Sequence, residues 1–172
     1  MNRKSAKLSQ PRHDLVIEKD VKITMRDGAV LYADIFRPKA AGRFPAIVNI
    51  SAPQSWLPTP MQIHVCAAKA GIDQVTRTAA MEWGPKGIRV NAIAPGPIAD
   101  TEGMRRLAPM PAAEKAWTDS VPLRRWGTKQ EIAKVVQWLC SDDASYISGV
   151  ILPVDGGWSL GGSSAMARAV IA

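Results

Sequence analysis

Gly87-Ile-Arg-Val-Asn-Ala-Ile-Ala-Pro-Gly96 is a short apolar run opened by one glycine and stopped by Pro95-Gly96-Pro97. Residues 88–94 are too few for a helix with its own buried face and are bounded by turn formers on both sides, so they read as a strand. Working outward, Gly84-Pro-Lys-Gly87 ends a helix. From Met61 to Trp83, Val65, Ala68, Ile72, Val75 and Ala79 recur at three or four residues, which predicts one long helix with those positions on its buried face. Before it, Pro45-Ala-Ile-Val-Asn-Ile-Ser51 is a β-branched apolar run of the kind found in buried parallel strands, and Pro53, Pro58 and Pro60 force a loop after it. On the other side come a loop with a helix near Ala112 to Asp119, and a firmer helix from Thr128 to Cys140, where Thr128 and Glu131 have capping-box spacing. Val150-Ile-Leu-Pro-Val154 then forms a third strand ending at Asp155-Gly-Gly157. Strands alternating with helices predict an α/β layer structure with a short parallel sheet.

The N-terminal quarter is different. Val16 to Thr24 alternates apolar and polar residues, Arg26-Asp-Gly28 supplies a turn, and Ala29 to Phe36 resumes the extended pattern, so residues 15–45 are expected to hold a β-hairpin and a Pro/Gly/Ala connector. Residues 1–14 are polar, lack periodicity and suit a disordered tail. The remainder, 161–172, is a C-terminal tail or helix.

Composition narrows the function classes. The chain has 172 residues, 47% of them hydrophobic, enough for one modest core. Its net charge of +7 resides mainly in residues 1–45, with ten Lys/Arg against five Asp/Glu. Arg3, Lys4, Lys7 and Arg12 lie among Ser, Gln and Pro without an aromatic stacking platform, so a solvated terminus is expected and no nucleic-acid partner. Cys66 and Cys140 form no CxxC pair and are expected as two buried reduced thiols, and His13 and His64 have no partners at metal-ligand spacing, so no metal is expected. No apolar run approaches the roughly 20 residues needed to span a bilayer. A soluble cytoplasmic protein is the expectation.

From Ala46 to about residue 160 the chain resembles the C-terminal half of the short-chain dehydrogenase/reductase family. The resemblance rests on Ile47-Val-Asn-Ile-Ser51, the helix segment His64-Val-Cys-Ala-Ala-Lys-Ala-Gly71, the Gly87–Gly96 run, Ser141-Asp-Asp-Ala-Ser-Tyr-Ile-Ser-Gly149 and Val154-Asp-Gly-Gly157. Pro95-Gly-Pro-Ile-Ala-Asp-Thr-Glu-Gly-Met-Arg-Arg-Leu107 with Glu82-Trp-Gly84 looks most like the 2,4-dienoyl-CoA reductase branch. That implies a Rossmann-like sheet, NADP or NAD as cofactor, an activated carbon–carbon double bond as substrate, and a homo-oligomer, dimer or tetramer, joined through the Lys69 helix and the last strand with its preceding helix.

By motif alignment the family's usual serine falls at Ala52 and its tyrosine at Val65, leaving Lys69 as the surviving catalytic residue. Lys69 would bond the nicotinamide ribose, the backbone of Pro95, Gly96 and Ile98 would meet the carboxamide end, and Thr101 would reach the pyrophosphate. No Gly-rich turn precedes the first matched strand, so the usual backbone cradle for the pyrophosphate is missing, and weak cofactor binding or none is the counter-expectation. The fold expected is thus a truncated Rossmann-like parallel sheet with an added N-terminal β-hairpin. Residues 21–38 and 42–48 resemble the N-terminal hairpin of cocaine-esterase and X-Pro dipeptidyl-peptidase type α/β-hydrolases, which would make the chain a fusion with its junction at Ala46-Ile-Val48.

Two other function classes follow. Gly157-Trp-Ser-Leu-Gly161 fits GxSxG, so a carboxylesterase would use Ser159 as nucleophile with His64 as base and Asp155 or Asp73 as orienter, although no histidine follows Ser159. The alternative for the same residues is an ordinary loop near the C-terminus. A non-catalytic oligomeric module is the third class. Arg105-Arg106 and Arg124-Arg125 are either solvated pairs or contacts for a CoA phosphate, and the six tryptophans are expected to cover apolar surface or a subunit contact.

Overall fold

The structure, a computed structural model, describes residues 15–24, 30–38 and 46–161. It divides into two units, Met1–Phe44 and Pro45–Ala172. In the first, β1 (Leu15–Thr24) pairs antiparallel with β2 (Val30–Pro38), with a register shift between Glu18 and Val21. The hairpin is therefore present where alternation placed it; its turn, the 1–14 tail, the connector and residues 162–172 lie outside the described residues.

The second unit is built on three parallel strands, β3 (Ala46–Ile50), β4 (Arg89–Pro95) and β5 (Ile151–Val154), in the order β3-β4-β5. Pro153 is tolerated because β5 is an outer strand. Helix α1 (Ile63–Trp83) links β3 to β4, and α2 (Glu102–Leu107), α3 (Pro111–Ser120) and α4 (Lys129–Cys140) lie between β4 and β5. Both α1 and α4 pack on β3 and β4. β4 is consequently buried along its length from Val90 to Ala94, and with Leu139 and Val121 it forms the centre of the core. The alternation of elements predicted this α/β fold with a short parallel sheet, and the family resemblance implied its Rossmann-like character. No helix among the described residues is long and apolar enough to cross a membrane.

α1 ends where expected, through a single 3-10 turn at Gly84–Lys86 and Gly87 in the left-handed region at φ 74°. Its buried face follows the apolar periodicity only in part: Ala79 is buried as expected and Val65 and Ile72 are half-buried. Val75 is 62% exposed and Ala68 is also exposed, whereas the polar Asp73 and Thr76 are buried. Polar side chains can occupy the inner stripe because each finds a partner: the Asn49 amide donates to Thr76 Oγ1 at 2.9 Å, Thr76 donates to the Ile72 carbonyl at 2.8 Å, and Ser51 and Ser55 donate to Asp73. Ile63, Val75 and Met81 are left on the surface of α1.

α4 begins with both halves of the capping box formed, Thr128 accepting from the Glu131 N–H and Glu131 accepting from the Thr128 N–H. Its last turn is tied to the sheet by Arg89, whose guanidinium donates to the carbonyls of Leu139 at 2.7 Å, Ser141 at 3.2 Å and Ile147 at 3.4 Å. Buried Asn91 does the same for the segment leading into β5, donating to the Ile147 carbonyl and accepting from the Val150 N–H. The two cysteines are free as expected but not buried: Cys66 is half-buried, and Cys140, the last residue of α4, is exposed. The six-residue α2 was not foreseen; Glu102 pairs with both Arg105 and Arg106, which accounts for that arginine pair on a solvent-exposed turn.

Candidate functional site

The parallel strands all point their C-terminal ends, Ile50, Pro95 and Val154, toward one side, and it is there that open α/β sheets bind ligands. A cavity of about 380 Å³ lies at that end. Pro95, Gly96, Ile98 and Thr101, four of the five residues assigned above to a cofactor, line it; the fifth, Lys69, does not. Ala52 and Gln54, from the loop after β3, close one side; Met104 and Leu107 of α2, with Trp117 and Trp158, form an apolar wall. The two tryptophan rings are tilted by 38° with centroids 5.4 Å apart, a favourable aromatic contact between α3 and the turn after β5. Lys129, at the start of α4, is the one titratable residue in this lining.

Close approach of the chain shapes the floor. A Cβ on Gly96 would lie 2.7 Å from Asp155 Cα, so only glycine lets the end of β4 pass the end of β5. Asp155 in turn is fully engaged locally: its carboxylate accepts from the N–H groups of Gly157 and Ser159, both at 2.9 Å, and this holds the single turn at Trp158–Leu160 that carries Trp158 into the cavity. Thr101 caps α2, its hydroxyl donating to the Ile98 carbonyl at 2.8 Å and accepting from the Met104 N–H.

Lys69 is half-buried and lies outside the cavity lining. Its amine donates to the carbonyl of Ile50, the last residue of β3, at 2.9 Å. Burial pushes the amine below its ordinary pKa, while the charge of Asp73, one helical turn on, pulls it back up. Val65 stands one turn earlier on the same helix, where it offers neither a proton nor a hydrogen bond.

The residues of a hydrolase are not assembled. Asp155 is used as a turn cap, Ser159 lies within a 3-10 turn and is not in the left-handed region, and His64 is exposed on the first turn of α1. Ser159 instead shares a cavity of about 420 Å³ with Ala70, Asp73 and Arg77, and Ala70 is six residues, roughly 9 Å along the helix axis, from His64. Apolar lining by Met104, Leu107 and Trp158, and the buried Asp73, were not read from the sequence as parts of the dehydrogenase-like site. Met104 and Leu107 lie within the Pro95–Leu107 motif, but only the fold turns them toward the strand ends.

A family model described as enoyl-(acyl carrier protein) reductase matches residues 16–159. The chain belongs to the short-chain dehydrogenase/reductase family. Within it, the chain is similar to the peroxisomal 2,4-dienoyl-CoA reductase of Mus musculus, 46% identical over 142 residues, which cover 83% of this chain and 47% of the relative. It is 48% identical over 112 residues to a probable 2,4-dienoyl-CoA reductase of Bacillus subtilis, covering 64% of the chain and 44% of the relative. Among solved structures it is similar to a short-chain dehydrogenase from Bacillus anthracis, with TM-score 0.59, 50% identity, and coverage of 66% of this chain and 43% of that one. A second, described as a 2-deoxy-D-gluconate 3-dehydrogenase from Agrobacterium tumefaciens with bound NADP, gives TM-score 0.62, 41% identity and coverage of 66% and 46%. This short-chain dehydrogenase/reductase chain thus spans about half the length of the relatives it matches. The family match starts inside β1, so it runs through the hairpin as well as the parallel-sheet unit.

Proposed function

We propose that this chain carries the nicotinamide and substrate end of an NAD(P)H-dependent reductase acting on an activated carbon–carbon double bond. The carrying observation is the cavity at the strand ends, which gathers the Pro95–Thr101 segment and an apolar wall, while Lys69 is held on the last carbonyl of the neighbouring strand. The lining fits the nicotinamide end of the cofactor: a flat ring and carboxamide suit an apolar slot edged by backbone and by Gly96, which has no side chain. It does not by itself fit a whole dinucleotide, since no Gly-rich turn precedes β3.

In this reading Lys69 holds the ribose, the backbone at Ile98 takes the carboxamide, and Thr101 faces the pyrophosphate. The bound nicotinamide supplies a hydride. Met104, Leu107, Trp117 and Trp158 exclude water from the reacting carbons, which strengthens each polar contact in the cavity. Val65 and Ala52, in place of a phenol and a hydroxyl, remove the proton relay suited to ketones, and this favours an enoyl or dienoyl substrate, as in the relatives' names. Self-association through the apolar residues exposed on α1 belongs to the same reading.

Trp117 and Trp158 make the test direct, because a ligand in the cavity changes their fluorescence. NADPH and NADH are titrated into wild type and Lys69→Met. Saturable quenching with a midpoint between about 1 μM and 1 mM, weakened at least about tenfold in the variant, is expected. A flat titration for both cofactors refutes the reading.

A further inference from the structure

Asp73 is a carboxylate at 4% exposure in a helix face that could have held alanine or leucine. Burying a charge is costly unless it is paired and hydrogen-bonded, so the position is explained by its partners. Both come from one short segment: Ser51 donates to one carboxylate oxygen and Ser55 to the other. Between them run Ala52, Pro53 and Gln54, the last two in the single turn Pro53–Ser55, and Ala52 and Gln54 line the cavity at the strand ends. Immediately before Ser51 is Ile50, whose carbonyl accepts from Lys69. Ser51 is further fixed by its own N–H, which donates to the Ile93 carbonyl at 2.8 Å. The charged groups near the carboxylate on α1 are Lys69, one turn before, and Arg77, one turn after, which lines the neighbouring cavity with it.

We propose that Asp73 is a positioning residue: by gripping Ser51 and Ser55 it fixes segment 50–55, so that the Ile50 carbonyl holds the Lys69 amine in place and Gln54 is presented to the cavity. Asp73 touches no reacting atom in this scheme and acts through Lys69 and the loop. Its importance for catalysis rests on the reductase reading above, whereas its hold on the loop and on Lys69 does not.

Two variants of the full chain test it. Lysines reductively methylated with 13C-formaldehyde give separate NMR signals, and Lys69→Arg identifies the Lys69 signal by its loss. In Asp73→Asn, with its native circular dichroism retained, removal of the negative charge beside the amine moves the Lys69 titration to lower pH. In Ser55→Ala, which leaves the carboxylate and Ser51 in place, amide exchange at residues 54–57 rises on the order of tenfold, since one of the loop's two ties to Asp73 is gone. A merely space-filling Asp73 leaves the Lys69 titration where it is in wild type. An unchanged titration in folded Asp73→Asn, or wild-type exchange at 54–57 in Ser55→Ala, overturns the proposal; if Asp73→Asn does not fold, Ser55→Ala alone decides. Absence of NADPH binding by wild type would remove the reductase reading and leave both measurements valid.

Discussion

Replacing Gly96 by alanine puts a methyl carbon 2.7 Å from Asp155 Cα, 2.8 Å from Asp155 Cβ and 3.0 Å from its carbonyl oxygen. Carbon atoms settle at about 3.5–4.0 Å, so the ends of β4 and β5 must separate by roughly 0.8 Å. The obstruction is mainly backbone and cannot rotate away as a long side chain would. Overpacking of this kind costs about 1–3 kcal/mol. For a unit of this size that lowers the melting temperature by roughly 4–12 °C. The displaced residue also caps the turn bearing Trp158, so the Gly157 and Ser159 N–H bonds loosen and the cavity wall shifts. Thermal unfolding followed by far-UV circular dichroism reads the first effect, and tryptophan fluorescence in the native state reads the second. Gly103→Ala is the control: it lies in α2 with nothing within 4 Å of the added carbon and is expected to be neutral or stabilising by about 0.5–1 kcal/mol. A Gly96→Ala protein melting within about 1 °C of wild type would refute the close approach of the two strand ends.

Arg89→Met removes the donors for three carbonyls at the end of α4 and the following loop, and is expected to destabilise by about 1.5–3 kcal/mol in urea titration. Asn91→Leu leaves the Ile147 carbonyl and Val150 N–H without their side-chain partner and should cost about 1–3 kcal/mol; a variant as stable as wild type would show that β5 is held by other means. Glu131, paired with Arg125 and the Thr128 cap, has its pKa lowered from 4.5 to about 2. A depressed carboxylate stabilises the fold above its unfolded pKa and loses that contribution as pH falls through the folded one. The melting-temperature gap between wild type and Glu131→Gln is therefore largest above pH 4.5 and closes toward pH 2; a gap constant over that range contradicts the pairing.

Local chemistry was legible in the chain itself. Turn formers around Ile88–Ala94, the capping box at Thr128 and Glu131, and the alternation in the N-terminal hairpin act over a few residues, and each element they announced is present. The family was legible for the same reason, since its motifs are short and contiguous. The inner face of α1 was not, because periodicity registers only hydrophobicity and Asp73 and Thr76 are buried by hydrogen bonds to residues 18 to 27 positions away. Nor could the sequence show that Asp155 is consumed as a cap rather than serving Ser159, or that Lys69 rests on the Ile50 carbonyl. The chain alone thus determined the order of strands and helices, the short α2 apart, and the ancestry of its motifs. The tertiary structure decided which side chains meet at the strand ends, because polar groups there are satisfied by partners that only the folded sheet brings within reach.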